Sequence, residues 1–401
     1  MNTERKQEKR TGLKGLSRNV VVLGVVSLCN DASSEMIYPL LPLFLTTTLG
    51  ATTQMLGLIE GIAESTAALL KLYSGWLSDR FGKRKSLTVA GYTLSAVTRP
   101  LIALATAGWQ VLGIRFLDRV GKGLRTAPRD ALIADSTPPE ARGVAFGFHR
   151  AMDHAGAVIG PLLAMAVLAL SANNYRLVFF LAVIPALLGV AVLLAGAREI
   201  QPVQHARRPS FRLTLFDNNF RRYLFVILLF TLGNSSDAFL LLRASQMGVA
   251  TAFIPLLWVF LHVVKMLFST PCGGLSDRIG RKRVIITGWV LYALVYAGFA
   301  YCNAAWHIWA LFAVYGLFFA LTEGAEKALV ADLVDPGIRG TAFGVYNFAI
   351  GLGALPASVI MGFLWQRISP AAAFGFGALL ALLAAGLIVL VRVPRRAAKS
   401  A

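Results

Sequence analysis

The sequence predicts an all-α integral membrane protein of twelve transmembrane helices, built as two six-helix halves about a pseudo-twofold axis. Three observations carry that prediction. The first is composition. Of 401 residues, 56% are hydrophobic and only 15% are charged, too little polar cover for a globular surface in water. The second is the recurrence of long apolar runs, among them 89–107, 177–196, 223–242, 284–301 and 371–391. Each approaches the roughly 20 residues a helix needs to cross a bilayer, and about twelve such runs can be counted. The third is an internal repeat.

The stretch GWLSDRFGKRK that begins at Gly75 returns as GGLSDRIGRKR from Gly273. Asp79 and Asp277 are 198 positions apart (277 − 79). RDALIADSTPPEARGVAFG from Arg129 aligns with EKALVADLVDPGIRGTAFG from Glu326, an offset of 197 (326 − 129). A looser echo pairs NDASSEM at Asn30 with NSSDAFL at Asn234. Three echoes in one order imply a duplicated half. The expected organisation is a tail over 1–18, a six-helix bundle over 19–198, a polar linker over 199–222, a second bundle over 223–392 and a tail over 393–401. Halves of this kind rock against each other around a site near the bilayer midplane.

The formal net charge of +19 does not point to nucleic acid, because the basic residues share no soluble face. They sit in the N-terminal tail, the two boxes, the segment 198–222 and the C-terminal tail, whereas 46–53, 106–109 and 303–307 contain no Lys or Arg. By the positive-inside rule this alternation predicts cytoplasmic termini, boxes and linker, with the tails attracted to anionic lipid. The three cysteines, Cys29, Cys272 and Cys302, have no disulfide or metal spacing. The charged N-terminus leads into 19–28 without a cleavage site, so the first helix is expected to stay. No nucleophile–base pair, phosphate loop or zinc motif stands out. Neither enzymatic activity nor a cofactor is expected, and the partners expected are the lipid bilayer, protons and a small-molecule or ion substrate, with the protein a monomer.

Ionisable residues inside spanning helices are costly and are functional candidates by default. The first helix carries Asn30, Asp31, Ser33, Ser34 and Glu35, followed by Pro39 and Pro42, which predict a kink or an unwound segment. In the second helix Glu60, Glu64 and Lys71 fall within about 40° of each other on one face. Each box then lies in the turn between the second and third helices of its half. Gly75, Gly82, Gly273 and Gly280 suit tight turns and close helix approach. Asp79 and Asp277 suit a helix N-terminus, and Arg80, Lys83, Arg84 and Lys85 are expected to keep the loop inside and to bind neighbouring carboxylates, with Arg278 the counterpart of Arg80. Such contacts can hold one conformation and release in another.

The fourth helix, VLGIRFLDRVGKGLRTAPRDALIAD, places Arg115, Asp118, Arg119, Lys122, Arg125, Arg129 and Asp130 within roughly 140° of arc. Such a stripe lines a water-filled cavity or meets carboxylates of the first two helices. The fifth helix carries His149, Arg150, Asp153 and His154, then Gly156, Gly160 and Pro161. In the second half the candidates are Asp237, His262, Lys265, Glu323 and Glu326. The 197 offset sets Glu326 opposite Arg129 and predicts a salt bridge between the halves there.

The first box resembles the loop motif G-x-L-x-D-R-x-G-R/K-R/K-x-x-L of the major facilitator superfamily, matched by Gly75, Leu77, Asp79, Arg80, Gly82, Lys83, Arg84 and Leu87. The resemblance implies the major facilitator fold, with Asp79 and Arg80 helping to lock the outward-open state. RFL at Arg115 resembles the family's fourth-helix signature R-F-L-Q-G, which implies a proton-coupling role for Arg115, although Asp118 and Arg119 replace its Gln and Gly. Gly156, Gly160 and Pro161 resemble the G-x-x-x-G-P antiporter motif, associated with exporters. NDASSEMIYPLLPLFL, LIEGIAEST, RVGKGLRTAPRDALIAD and GNSSDAFLLLRA resemble a bacterial branch with nickel-resistance exporters and permeases linked to iron-chelate export. That implies proton-coupled efflux of a divalent metal, a metal chelate or a small organic anion across a bacterial inner membrane.

Nickel exporters of this kind often end in a His-rich tail; here the tail has no His and the chain has five, against an imidazole-only site. Asp31, Glu35, Asp153, His154 and Asp237 could furnish an O/N site for a passing cation. The surplus of Arg and Lys on the fourth helix instead suits a carboxylate-rich anion. A proton-coupled multidrug exporter is the alternative, but a drug site is mostly aromatic and apolar.

Overall fold

A computed structural model describes residues 15–51, 53–200, 216–250 and 253–392. Most of both tails and of the linker lies outside the described residues. Among the described residues, twelve long helical segments follow one another. α1 is Arg18–Ile37, α2 Thr53–Phe81, α3 Arg84–Thr98, α4 Gly108–Asp135, α5 Arg142–Leu170 and α6 Tyr175–Gly196; α7 is Asn218–Gln246, α8 Ile254–Ile279, α9 Arg281–Tyr301, α10 Ala305–Leu333, α11 Arg339–Arg367 and α12 Pro370–Leu387. Ten of these regions are apolar and long enough to cross a membrane. The other two are α2 and α4, whose apolar character is diluted by the charges that the sequence sets on one face.

Local chemistry explains the ends and breaks. The Ser17 hydroxyl accepts from the Val20 N–H to start α1, and the Asp217 carboxylate accepts from the Phe220 N–H at 2.8 Å to start α7. These side chains satisfy donors that the first turn leaves open. α1 stops at Ile37, before Pro39, and resumes as Leu41–Leu43 and the wider turn Phe44–Thr48. α7 is broken between Gly233 and Ala238. Gly82 and Gly280 adopt φ of +65° and +99°, which a side chain strongly disfavours; each lets the chain reverse between helices two and three of its half.

The halves meet along two equivalent seams, α2 against α11 and α5 against α8. Glycines set their closeness. A Cβ on Gly75 would lie 2.1 Å from the Gly340 carbonyl oxygen, and one on Gly273 would lie 2.2 Å from that of Gly143. Gly75 and Gly273 are 198 positions apart, Gly143 and Gly340 197. The repeat therefore builds one seam twice, at the end of the bundle where the boxes lie. Within the first half, a Cβ on Gly156 would strike the Leu28 carbonyl and one on Gly160 the Ala32 carbonyl, at 2.5 and 2.6 Å. Gly156 and Gly160 thus let α5 lie against the turn of α1 that carries Asp31 and Glu35.

The offset also exposes a divergence. Arg115, Asp118, Arg119, Lys122 and Arg125 on α4 become Phe312, Tyr315, Gly316, Phe319 and Thr322 on α10. The second half fills that layer with an aromatic core in which Phe230, Trp289, Tyr292, Tyr296, Tyr315 and Phe318 contact one another. One scaffold holds charge in its first copy and aromatic rings in its second.

Candidate functional site: a charged cavity of the first half

At the box end, two carboxylates each cap a helix of the opposite half. Asp79 of α2 accepts from the backbone N–H of Gly340 (3.0 Å) and Thr341 (2.6 Å) and from the Thr341 hydroxyl. Asp277 of α8 accepts from the N–H of Gly143 (3.0 Å) and Val144 (2.8 Å). Both sit where the helix dipole favours negative charge. Of the basic residues of the two boxes, Arg84 and Arg281 complete these networks, and Arg80 and Arg278 do not. Arg80 is exposed and lies over the rings of Trp76 and Phe81, and Arg278 is exposed as well. Arg84 instead pairs with Asp79 and Asp135 and donates to the Pro336 carbonyl. Arg281 pairs with Asp277 and Asp332 and donates to the Pro139 carbonyl. Arg339 reaches Asp135 across the interface, and Arg142 reaches Asp332. Arg80 lies in the last turn of α2 and its side chain leaves the seam, whereas Arg84 begins α3 and turns back beneath it.

Toward the middle of the bundle lies a cavity of about 440 Å³. Asp31, Glu35 and Asp153 line it, against seven cationic side chains: Lys71, Arg99, Arg119, Lys122, Arg125, Arg129 and Arg150. Its wall comes almost entirely from the first half; Asn347 is the contribution of the second. Arg99, absent from the sequence candidates, donates to Asp118 at 2.9 Å and to the Asn30 carbonyl. It thereby ties α3 to both α4 and the polar turn of α1. Arg115 is set back from this cavity, 3.6 Å from Asp118 and over the Tyr38 ring. Asp153 is held by Ser27, by Arg150 at 3.0 Å and by His149 at 3.6 Å. Asp31 accepts from the Asn30 side chain at 2.8 Å. Glu60 and Glu64 fall within α2, but their side chains lie outside the described residues.

His154 does not join Asp31 and Glu35. Its Nδ1 lies 3.2 Å from His262 Nδ1, and its Nε2 lies 3.1 Å from Glu323 Oε2. Arg150 and Lys265 approach the same carboxylate at 3.7 and 3.9 Å. This cluster joins α5 to α8 and α10, beside the cavity rather than around a vacant coordination site. Among the described residues no group of three or more His, Cys, Asp or Glu side chains is disposed to hold a metal ion. Asp237, at the break in α7, accepts from the Tyr315 hydroxyl at 2.7 Å.

The expected Arg129–Glu326 bridge is not formed. Arg129 binds Asp130, its own neighbour, and approaches the Tyr92 hydroxyl. Glu326 accepts from Trp289 at 3.0 Å and Tyr346 at 2.8 Å. The pair across the interface is one residue on: Lys327 Nζ donates to Asp130 Oδ2 at 2.6 Å. One residue turns a helix position by about 100°, enough to exchange a side chain facing its own half for one facing the axis. Lys327 was not a sequence candidate, yet the 197 offset sets it opposite Asp130 (327 − 130). A separate apolar groove of about 970 Å³ lies between α5 and α8, lined by Val144, Phe148, Met152, Met266, Leu267 and Leu275 among others. It is larger than the charged cavity but holds none of its charges, so the charged cavity is the candidate site.

The family model described as Major Facilitator Superfamily matches residues 23–264 and 245–401. An uncharacterized MFS-type transporter of Methanocaldococcus jannaschii is 35% identical over 392 residues, 96% of this chain and 97% of its own length. A cis,cis-muconate transport protein of Acinetobacter baylyi is 23% identical, covering 77% of this chain and 78% of its own. A multidrug resistance protein of Aeromonas hydrophila is 25% identical over 80% of this chain and 81% of its own. Among solved structures, the human organic anion transporter MFSD10 superposes with a TM-score of 0.74 at 16% identity, covering 92% of this chain and 99% of that one.

Proposed function

This chain belongs to the major facilitator superfamily, and on that premise we propose that it exports a small organic anion, free or as a metal chelate, by proton-coupled alternating access. The observation that carries the reading is the excess of cationic over acidic side chains in the cavity. A wall this rich in guanidinium and ammonium groups favours an anion over a cation in the cavity, and guanidinium planes match carboxylates bidentately. The name of the muconate relative, a transporter of a dicarboxylate, lends support. A bare divalent cation fits poorly among seven positive side chains.

The basic boxes and tails support a placement in a bacterial inner membrane with both termini in the cytoplasm. The network at the box end then closes the cytoplasmic side, and the cavity faces outward. Gly156, Gly160 and Pro161 support export. In this reading Asp31, Glu35 and Asp153 are the carboxylates available to exchange a proton while the arginines hold the substrate. A multidrug exporter is the second reading, favoured by the Aeromonas relative.

Everted membrane vesicles with an imposed proton gradient and a pH-sensitive dye separate the readings. Citrate, cis,cis-muconate, ferric citrate, Ni²⁺, Co²⁺ and a cationic drug are added in turn, with Asp31→Asn as control. Dissipation by the anions or the chelate, and not in the control, is the expected result. A response to the drug alone would move the protein to multidrug export, and silence across the panel would overturn proton-coupled export.

A further inference from the structure

The Asp130–Lys327 pair occupies equivalent positions of the two halves, so it lies on the pseudo-twofold axis. An exact repeat would place two like residues there. Instead the positions carry opposite charges, both buried, at 2.6 Å. The flanking positions invert in the same way. Arg129 faces the Tyr92 hydroxyl and Glu326 accepts from the Trp289 indole, and Tyr92 and Trp289 are also 197 positions apart.

The two partners are unequally provided for. Asp130 keeps two further hydrogen bonds, from Nε and Nη2 of Arg129 in its own half. Among the described residues, Lys327 has Asp130 as its hydrogen-bond and ion-pair partner and no other. When the halves part at the box end, this pair must separate, because Asp130 belongs to α4 and Lys327 to α10. Asp130 then remains compensated by Arg129. Lys327 then faces the newly opened mouth as an ammonium whose counter-ion has left.

We propose that Lys327 is a state-dependent anion-binding residue: Asp130 masks it while the box end is closed, and it receives the carboxylate of an incoming substrate when that end opens. The inference rests on the organic-anion reading given above. It adds the differential contact that reading lacks. The arginines of the cavity are present in either state, and a ligand moves a conformational equilibrium only through contacts that differ between states. Lys327 supplies that difference. An anion on Lys327 stabilises the opened state. Its passage inward to the arginines frees Lys327 to rejoin Asp130 and close the mouth behind it.

The test is spin-label distance measurement on the full chain in lipid nanodiscs. The native cysteines are replaced, and labels are placed at Glu140→Cys and Asp335→Cys, exposed positions on either half at the box end. Citrate, succinate and benzoate are titrated as probes. In the otherwise unchanged protein at least one of them should raise the long-distance population. Asp130→Asn should raise that population without ligand and lower the half-maximal anion concentration about tenfold, as expected for unmasking one charge-assisted contact. Lys327→Gln should also open the mouth but lose the anion response, and Lys327→Arg should keep it. A plain latch predicts one behaviour for Asp130→Asn and Lys327→Gln, so matching anion responses in those variants would overturn the proposal. Silence of both the parent and Asp130→Asn toward all three anions would overturn the organic-anion reading itself.

Discussion

The carboxylate of Asp79 accepts the backbone N–H of Thr341 at 2.6 Å, fastening α2 of one half to the first turn of α11 in the other. Its counterpart, Asp277, fastens α8 to the first turn of α5. The two clasps are copies, so their contributions should be comparable and separable. Asp79→Asn and Asp277→Asn each keep the shape but lose the charge, weakening bonds worth about 1.5–3 kcal/mol each. Each single variant should increase access of a membrane-impermeant thiol reagent, applied from the box end, to a cysteine placed at Asn347. The double variant should increase it further; equal labelling of double and single variants would mean that one clasp alone holds the closure.

The arginine that matters in the first box should be Arg84. It is fully buried between Asp79 and Asp135, and removing one partner of such a network costs about 3–5 kcal/mol. Arg84→Ala should lower the melting temperature in detergent by several degrees and abolish transport. Arg80→Ala, at an exposed site, should change stability by less than about 0.5 kcal/mol. The reverse order would return the lock to Arg80.

Close backbone approach makes Gly75 sensitive to a single methyl group. Gly75→Ala sets a Cβ 2.1 Å from the Gly340 carbonyl oxygen, so the seam must part. Overpacking of this kind costs about 1–3 kcal/mol. The variant should favour the state open at the box end and transport slowly. Gly113→Ala, with no atom within 4 Å of its added Cβ, is the control and should transport normally. A normal rate for Gly75→Ala would show that the seam yields freely.

Asp118 neutralises a crowded group of cations. Arg99 and Arg115 approach it at 2.9 and 3.6 Å, and Arg119 is one residue away. Asp118→Asn should destabilise the protein by about 3–5 kcal/mol, because it strands buried positive charge. Arg99→Met combined with Asp118→Asn should recover part of that loss. Calorimetry of the two singles and the double measures the coupling; purely additive losses would contradict the pairing.

Much of this was legible in the sequence. Apolar runs of bilayer length, a break at Pro39 and a repeat at 197 or 198 positions led to helices and halves, and the box that begins at Gly75 carried the resemblance to the family. The charged stripe of α4 announced a polar interior, because no such face can meet lipid. Asp31, Glu35, Arg119, Lys122 and Asp153 do line one cavity. Arg99 escaped notice because it sits alone inside the apolar run 89–107, where its partner Asp118 is invisible. Periodicity could not distinguish Arg80 from Arg84, since a helix boundary between them sends one outward and the other beneath the seam.

The sequence by itself determined which segments are helices, that they come in two copies and that the first copy carries the charge, because each of these follows from local composition and period. Tertiary structure alone decided the partners. Whether Arg129 meets Glu326 or Asp130 meets Lys327 depends on the rotation of two helices about their axes and on their separation. Glycine contacts such as Gly75 with Gly340 set that separation, and they join residues more than two hundred positions apart in the chain.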